Sequence, residues 1–134
     1  MRKLTILAAM TLLAIAGCAR QERAEMATRA QSELVGMSKK DLLSCAGVPQ
    51  RQDRVDDLEF LTFVGGGDSV GSAVVTQTSP STAVATGRTN RRYCEATFVL
   101  KDSVVQRVNY QGRTGGLLTK GEQCAFIVEN CMKP

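Results

Sequence analysis

The sequence predicts an α+β domain: two N-terminal helices packed on a three-stranded antiparallel sheet, plus a C-terminal helix stapled by disulfides. Three observations carry this expectation. Residues 22–46 are rich in helix formers and divide into two helical segments with a glycine after each. Three later segments, 58–64, 93–100 and 104–110, alternate from one side chain to the next with the period of two that marks half-buried strands. Four cysteines, Cys45, Cys94, Cys124 and Cys131, are spread through these regions and the C-terminal segment.

The chain opens with MRKLTILAAMTLLAIAGC. Arg2 and Lys3 give a positive start, Leu4 to Ile15 is apolar and uncharged, and two small residues precede Cys18. This is the layout of a secretory signal peptide, here residues 1–17. Its apolar run of about a dozen residues falls short of the ~20 that a spanning helix needs. Ile15-Ala16-Gly17-Cys18 resembles the bacterial lipobox: an aliphatic residue, two small ones and a cysteine. The resemblance implies that the Cys18 thiol is diacylglycerylated, that cleavage falls before Cys18, and that its new amine is acylated. Ala19, where an aspartate would imply inner-membrane retention, implies sorting to the outer membrane, with the domain facing the periplasm. Each buried methylene contributes about 0.8 kcal/mol, so two or three chains on one cysteine hold a protein at a membrane without a spanning helix.

Removing residues 1–17 leaves 117 residues, one small domain. With Arg2 and Lys3 gone, the net charge falls from +4 to +2, too small to argue for nucleic acid. Histidine is absent, which takes away the commonest general base and the commonest metal ligand. Once Cys18 is assigned to lipid, an even number of cysteines remains in an exported chain, and the four read as two disulfides with three possible connectivities. They lack the close C-x2-C pairing of zinc sites, so no metal and no cofactor is expected.

Residues 18–33 read as a lipidated tether that becomes helix by about Glu22. Glu25 and Arg29 are four apart in the favourable order, and Met26, Ala30 and Leu34 make a narrow apolar stripe. Gly36 suits the end of this helix. Ser38 and Asp41 have capping-box spacing, Leu42, Cys45 and Ala46 share a helical face, and Gly47 with Pro49 stops the second helix, so it spans about 39–46.

The order Gly36-Met37-Ser38, short amphipathic helix, Gly47-x-Pro49 resembles the BamE/SmpA/OmlA family of small outer-membrane lipoproteins. Ala46 stands where that family usually has leucine, and Cys45 departs from it as well. The resemblance implies a pair of helices on three antiparallel strands over residues 34–134, membrane attachment through Cys18, and protein partners in an outer-membrane assembly complex. The same architecture resembles β-lactamase-inhibitor-like domains, which keeps open a periplasmic binding module or enzyme inhibitor.

Leu58 to Val64 is the first strand, with Leu58, Phe60, Thr62 and Val64 on one face and Glu59, Leu61 and Phe63 on the other. Asp53, Asp56, Asp57 and Glu59 gather at its start and read as a solvated turn. Residues 65–92 are rich in Gly, Ser and Thr and read as a flexible insertion, in which Val74 and Val75 can pair locally. Gly65-Gly66-Gly67 lacks the Lys-Ser/Thr ending of a phosphate loop. Tyr93 to Leu100 puts Cys94, Ala96, Phe98 and Leu100 on one face, Lys101-Asp102-Ser103 turns the chain, and Val104 to Tyr110 returns.

After the glycine-rich turn 111–116, Thr119 and Glu122 again have capping-box spacing and residues 124–131 read as a helix. Seven residues apart on one helix, Cys124 and Cys131 lie about 10 Å from each other along the axis. A disulfide needs Cα atoms within about 7 Å, so each reaches back, one to Cys45 and one to Cys94. No nucleophile–base pair and no nucleotide motif is present, so neither an enzyme nor a small-molecule substrate is expected.

Overall fold

The computed structural model describes residues 2–67 and 69–133, with side chains described outside 2–16, 69–73 and 88–90. The signal-peptide reading therefore rests on side chains that lie outside the described residues. No helix among the described residues is long and apolar enough to cross a membrane.

Two helices come first: α1, Arg2–Glu33, and α2, Lys39–Ala46. Six strands follow: β1, Arg51–Val55; β2, Leu58–Gly65; β3, Ser69–Ser79; β4, Thr82–Arg91; β5, Cys94–Lys101; and β6, Val104–Gln111. A 3₁₀ turn at Glu122–Cys124 leads into α3, Ala125–Val128. Every strand pairing is antiparallel, in a four-stranded sheet ordered β1-β2-β5-β6 and a separate two-stranded sheet, β3-β4.

The α+β class holds, but the main sheet has four strands where three were expected. The additional one is β1, whose five residues are all exposed. An edge strand with no buried apolar side chain leaves no apolar alternation to read. A two-residue turn, Asp56-Asp57, joins it to β2, with Asp56 at φ 54°.

The insertion 65–92 is likewise β structure rather than loop. β3 and β4 pair from Ser69↔Arg91 to Ser79↔Thr82 around Pro80-Ser81. Every described side chain from Val74 to Gly87 is exposed, with Val74, Val75 and Val84 between 50 and 66 %. The described side chains of the hairpin thus lie outside the core.

The core lies on one face of the four-stranded sheet. Leu61 and Phe63 of β2, with Cys94, Ala96, Phe98 and Leu100 of β5, meet Ala27, Ala30 and Leu34 of α1, Leu42 of α2, and Cys124, Ile127 and Val128. On β6 both Val105 and Val108 are buried, although strict alternation puts them on opposite faces. A bulge opposite Val99 and Leu100 absorbs Gln106 as an extra residue, which returns both valines to one side.

Three further expectations change. α1 is helical through residues 18–21, where a tether was expected. Its buried stripe is Ala24, Ala27, Ala30 and Leu34, with Met26 only half-buried at its edge. Alanines let the helix approach closely enough for the Tyr110 hydroxyl to donate to the Ala27 carbonyl at 2.9 Å. The helix expected over 124–131 is four residues long and begins after a Gly121 start at φ 93°, with no side-chain cap from Thr119. The Glu122 side chain, expected to cap, is instead fully buried.

Candidate functional site

Cysteine chemistry divides the chain into two parts. Cys45 bridges Cys131, tying α2 to the turn after α3, and Cys94 bridges Cys124, tying the start of β5 to the 3₁₀ turn. Each C-terminal cysteine reaches back as expected. The remaining cysteine, Cys18, is free and exposed. It lies six residues before Ala24, the first buried residue of α1 among those whose side chains are described, or about 9 Å along the axis. That distance leaves the thiol clear of the packed domain and open to modification.

The Gly36-Met37-Ser38 segment is a joint between helices and sheet. Gly36, at φ 91°, donates its N–H to the Val105 carbonyl at 2.8 Å, and the Met37 carbonyl accepts the Val105 N–H at 2.9 Å. A side chain at 36 is strained at that φ, so glycine is the residue that lets the chain leave α1 and run beside β6 at once. Ser38 then caps α2: its Oγ accepts the Asp41 N–H at 3.1 Å and donates to Asp41 Oδ2 at 2.6 Å. Gly47, at φ 85°, ends the helix by donating to the Leu43 carbonyl, and Pro49 leads into β1. The motif's glycines and serine are therefore occupied in shaping the joint.

Next to this joint, Lys39 Nζ reaches Glu59 Oε1 at 2.7 Å, and the Gln52 amide donates to the same oxygen. Glu59 is 6 % exposed, and the Lys39 hydrogen bond holds its carboxyl below the usual glutamate range. A carboxylate with a lowered folded-state pKa stabilises above its unfolded pKa, and that stability is lost as pH falls through the folded value. Lys39→Met is therefore expected to cost about 2 kcal/mol near pH 7, the scale of a charged hydrogen bond. The difference from the parent chain shrinks as pH falls through the lowered folded value of Glu59, where the carboxyl protonates in the parent chain as well. Urea unfolding over a pH series descending from pH 7 measures this, and a cost that does not fall with pH down to the acid limit of folding would contradict it.

Asp56 and Asp57 line one small pocket with Glu59, Asp102 and Arg54, but each has its own surroundings. Asp57 pairs with Lys101 of β5 at 2.7 Å, which holds the carboxyl down and the ammonium up. Asp53 and Asp56 are exposed. Asp53, Asp56 and Asp57 are thus exposed, as a solvated turn would have them, whereas Glu59 departs from that expectation and is buried against Lys39 and Gln52.

Two surfaces remain open for contact. The outer face of the main sheet carries half-buried Phe60 and Val99, a Thr62–Thr97 hydroxyl pair at 3.1 Å, and an Arg51–Glu95 ion pair at 3.1 Å. The β3–β4 hairpin is a two-stranded ribbon with no charged residue from Ser69 to Gly87. Sequence reading missed its regularity because short runs of Thr, Ser and Val resemble linker composition. The signal was Pro80-Ser81 between two stretches holding Val74, Val75, Thr76 and Val84, Thr86.

A third feature is the loop after β6. Arg92, Gly112, Arg113, Thr114, Leu117 and Lys120 help to line a shallow groove of about 550 Å³. Among the described residues, no cluster of Cys, Asp and Glu is placed to hold a metal ion. Compared with protein-family profiles, with curated proteins and with solved structures, the chain finds no match.

Proposed function

We propose that this chain is an exported lipoprotein, held at the outer membrane by acyl chains on Cys18, whose domain faces the periplasm as a non-catalytic accessory of outer-membrane protein assembly. In this reading it is a divergent relative of the BamE/SmpA/OmlA family, with its helix pair, Gly36-Met37-Ser38 joint and Gly47-x-Pro49 turn as the shared part. The observation that carries it is the cysteine division: four pair off inside the domain, and Cys18 is left exposed on α1 ahead of the packed region.

The first test is the mass of the chain from a Gram-negative host and its partition into detergent. Acylation at Cys18, lost in Cys18→Ser, supports the anchor; an unmodified Cys18 sinks it. The second is recovery from solubilised envelope after brief cross-linking. A large outer-membrane barrel together with other lipoproteins supports the assembly role.

The hairpin favours a second reading, a binding module that grips a periplasmic enzyme or a cell-wall ligand. Gly65 and Cys94 are direct partners in the β2–β5 register, so removing residues 68–91 leaves a four-residue connection between paired ends. Deletion is expected to change stability by no more than about 0.5 kcal/mol, as for surface changes away from the core. A drop of several kcal/mol in urea unfolding would contradict the exposure of the hairpin. Loss of the cross-linked partner with stability intact assigns the grip to β3–β4; retention of the barrel leaves a scaffold role to the rest.

A further inference from the structure

We propose that the loop 112–120 is a membrane-interface wedge, in which Leu117 and Leu118 enter the headgroup–acyl boundary beside Cys18 while Arg92, Arg113 and Lys120 meet lipid phosphates. This inference rests on the lipid-anchor reading above.

Leu117 is 99 % exposed and Leu118 is 83 % exposed. Two adjacent leucines held in water gain nothing from the fold, and contiguous exposed apolar surface marks a contact with something outside it. The loop around them is closed. Gly116 donates its N–H to Thr119 Oγ1 at 3.1 Å, and a Cβ on Gly115 would lie 1.8 Å from the Thr119 carbonyl oxygen. At its base Thr114 accepts the Gly121 N–H on its hydroxyl at 3.1 Å and the Gln123 N–H on its carbonyl at 2.8 Å. These bonds fix the two ends of a tight turn and leave the leucines outside it.

Position identifies the occupant. Leu117, Leu118 and Lys120 share a groove with Gln21, Ala24, Glu25 and Arg29 of α1. Gln21 is three residues beyond Cys18, about 5 Å of helical rise. The leucine pair thus lies within a turn or two of the thiol that carries the acyl chains. Phe126, 43 % exposed, lies under the Arg23 guanidinium of α1, 5.2 Å from its ring centre, outside that groove. Arg92, Arg113 and Lys120 line the adjoining groove. Apolar side chains ringed by cations, set beside an acyl anchor, match the composition of segments that lie in an anionic bilayer interface. Glu25 is the acidic member of the α1 wall, and it accepts a hydrogen bond from Gln21 at 3.3 Å.

The chain contains no tryptophan, so a single one reports its own surroundings. The lipidated Leu118→Trp chain would be reconstituted in phosphatidylethanolamine–phosphatidylglycerol vesicles, with and without brominated acyl chains. Val55→Trp, at the end of β1 and 58 % exposed in the parent, is the comparison. The expected result is a blue-shifted, bromine-quenched emission from Leu118→Trp and none from Val55→Trp. Adding Arg92→Glu with Lys120→Glu to Leu118→Trp should reduce the quenching. Vesicle-bound protein with a water-exposed emission from Leu118→Trp overturns the wedge and leaves the anchor standing. Equal quenching at both positions also overturns it, as general adsorption. Chains with unmodified Cys18 that fail to sediment with vesicles overturn wedge and anchor together.

Discussion

Replacing Cys45 and Cys131 together by serine is expected to lower the unfolding free energy by about 4 kcal/mol, the scale of closing a loop of this length. The bridge spans 86 residues of sequence and is the longest covalent loop in the domain. α2 is only eight residues long and contributes one fully buried side chain, Leu42. A helix of that length is marginal by itself, so it depends on what pins it to the rest. The Cys45–Cys131 bridge joins it directly to the segment after α3. Urea unfolding of Cys45→Ser/Cys131→Ser against the parent chain reads the loss, and a change under 1 kcal/mol would show that α2 is held by packing alone. The Cys94–Cys124 loop of 30 residues is shorter, so entropy alone assigns its removal a smaller cost of roughly 3–4 kcal/mol.

Phe98→Ala is expected to cost about 4 kcal/mol, the range for deleting a buried aromatic ring. Phe98 is fully buried at the middle of β5, between Leu61 of β2 and Val108 of β6 in the strand register. Its ring meets Phe63 edge to face, with centroids 5.4 Å apart. The chain has four phenylalanines and no tryptophan, and several of the residues around this pair are alanines. Small neighbours have little side chain with which to refill the void, which places the cost at the upper part of the range. A double-mutant cycle with Phe63→Ala should give a coupling of about 1 kcal/mol, the usual value of such a ring pair. Additive losses would mean that the rings contribute only through area.

What was legible in the sequence followed from burial. β5 announced itself through Cys94, Ala96, Phe98 and Leu100, all of which point into the core. α2 was legible from its ends, since Ser38 and Gly47 do the capping work that their residue types predict. The misses share one cause. β1 and the β3–β4 hairpin are held by backbone pairing with exposed side chains, so alternation of polarity had nothing to record. At the C-terminus, spacing suggested a longer helix, but Gly121 and the burial of Glu122 and Gln123 reshape the segment into a short turn and a single helical turn. Of the candidate site, Cys18 stood out because two small residues and a positive, apolar start precede it; the Leu117-Leu118 pair did not, because an apolar dipeptide in a sequence is ordinarily core.

The two disulfides are nested: the first domain cysteine joins the last, and the two middle ones join each other. A chain that meets an oxidant while emerging N-terminus first presents Cys45 and Cys94 as its earliest pair of thiols, and that pair is absent from the finished fold. The native bond at Cys45 waits for residue 131, 86 residues further on. In the exported chain proposed above, vectorial oxidation would therefore work against this connectivity, and maturation would require either thiols kept reduced until residue 131 has crossed or an isomerase that undoes the premature bridge. A cell deprived of that proofreading should accumulate mispaired, protease-sensitive chains while its capacity to form disulfides is intact.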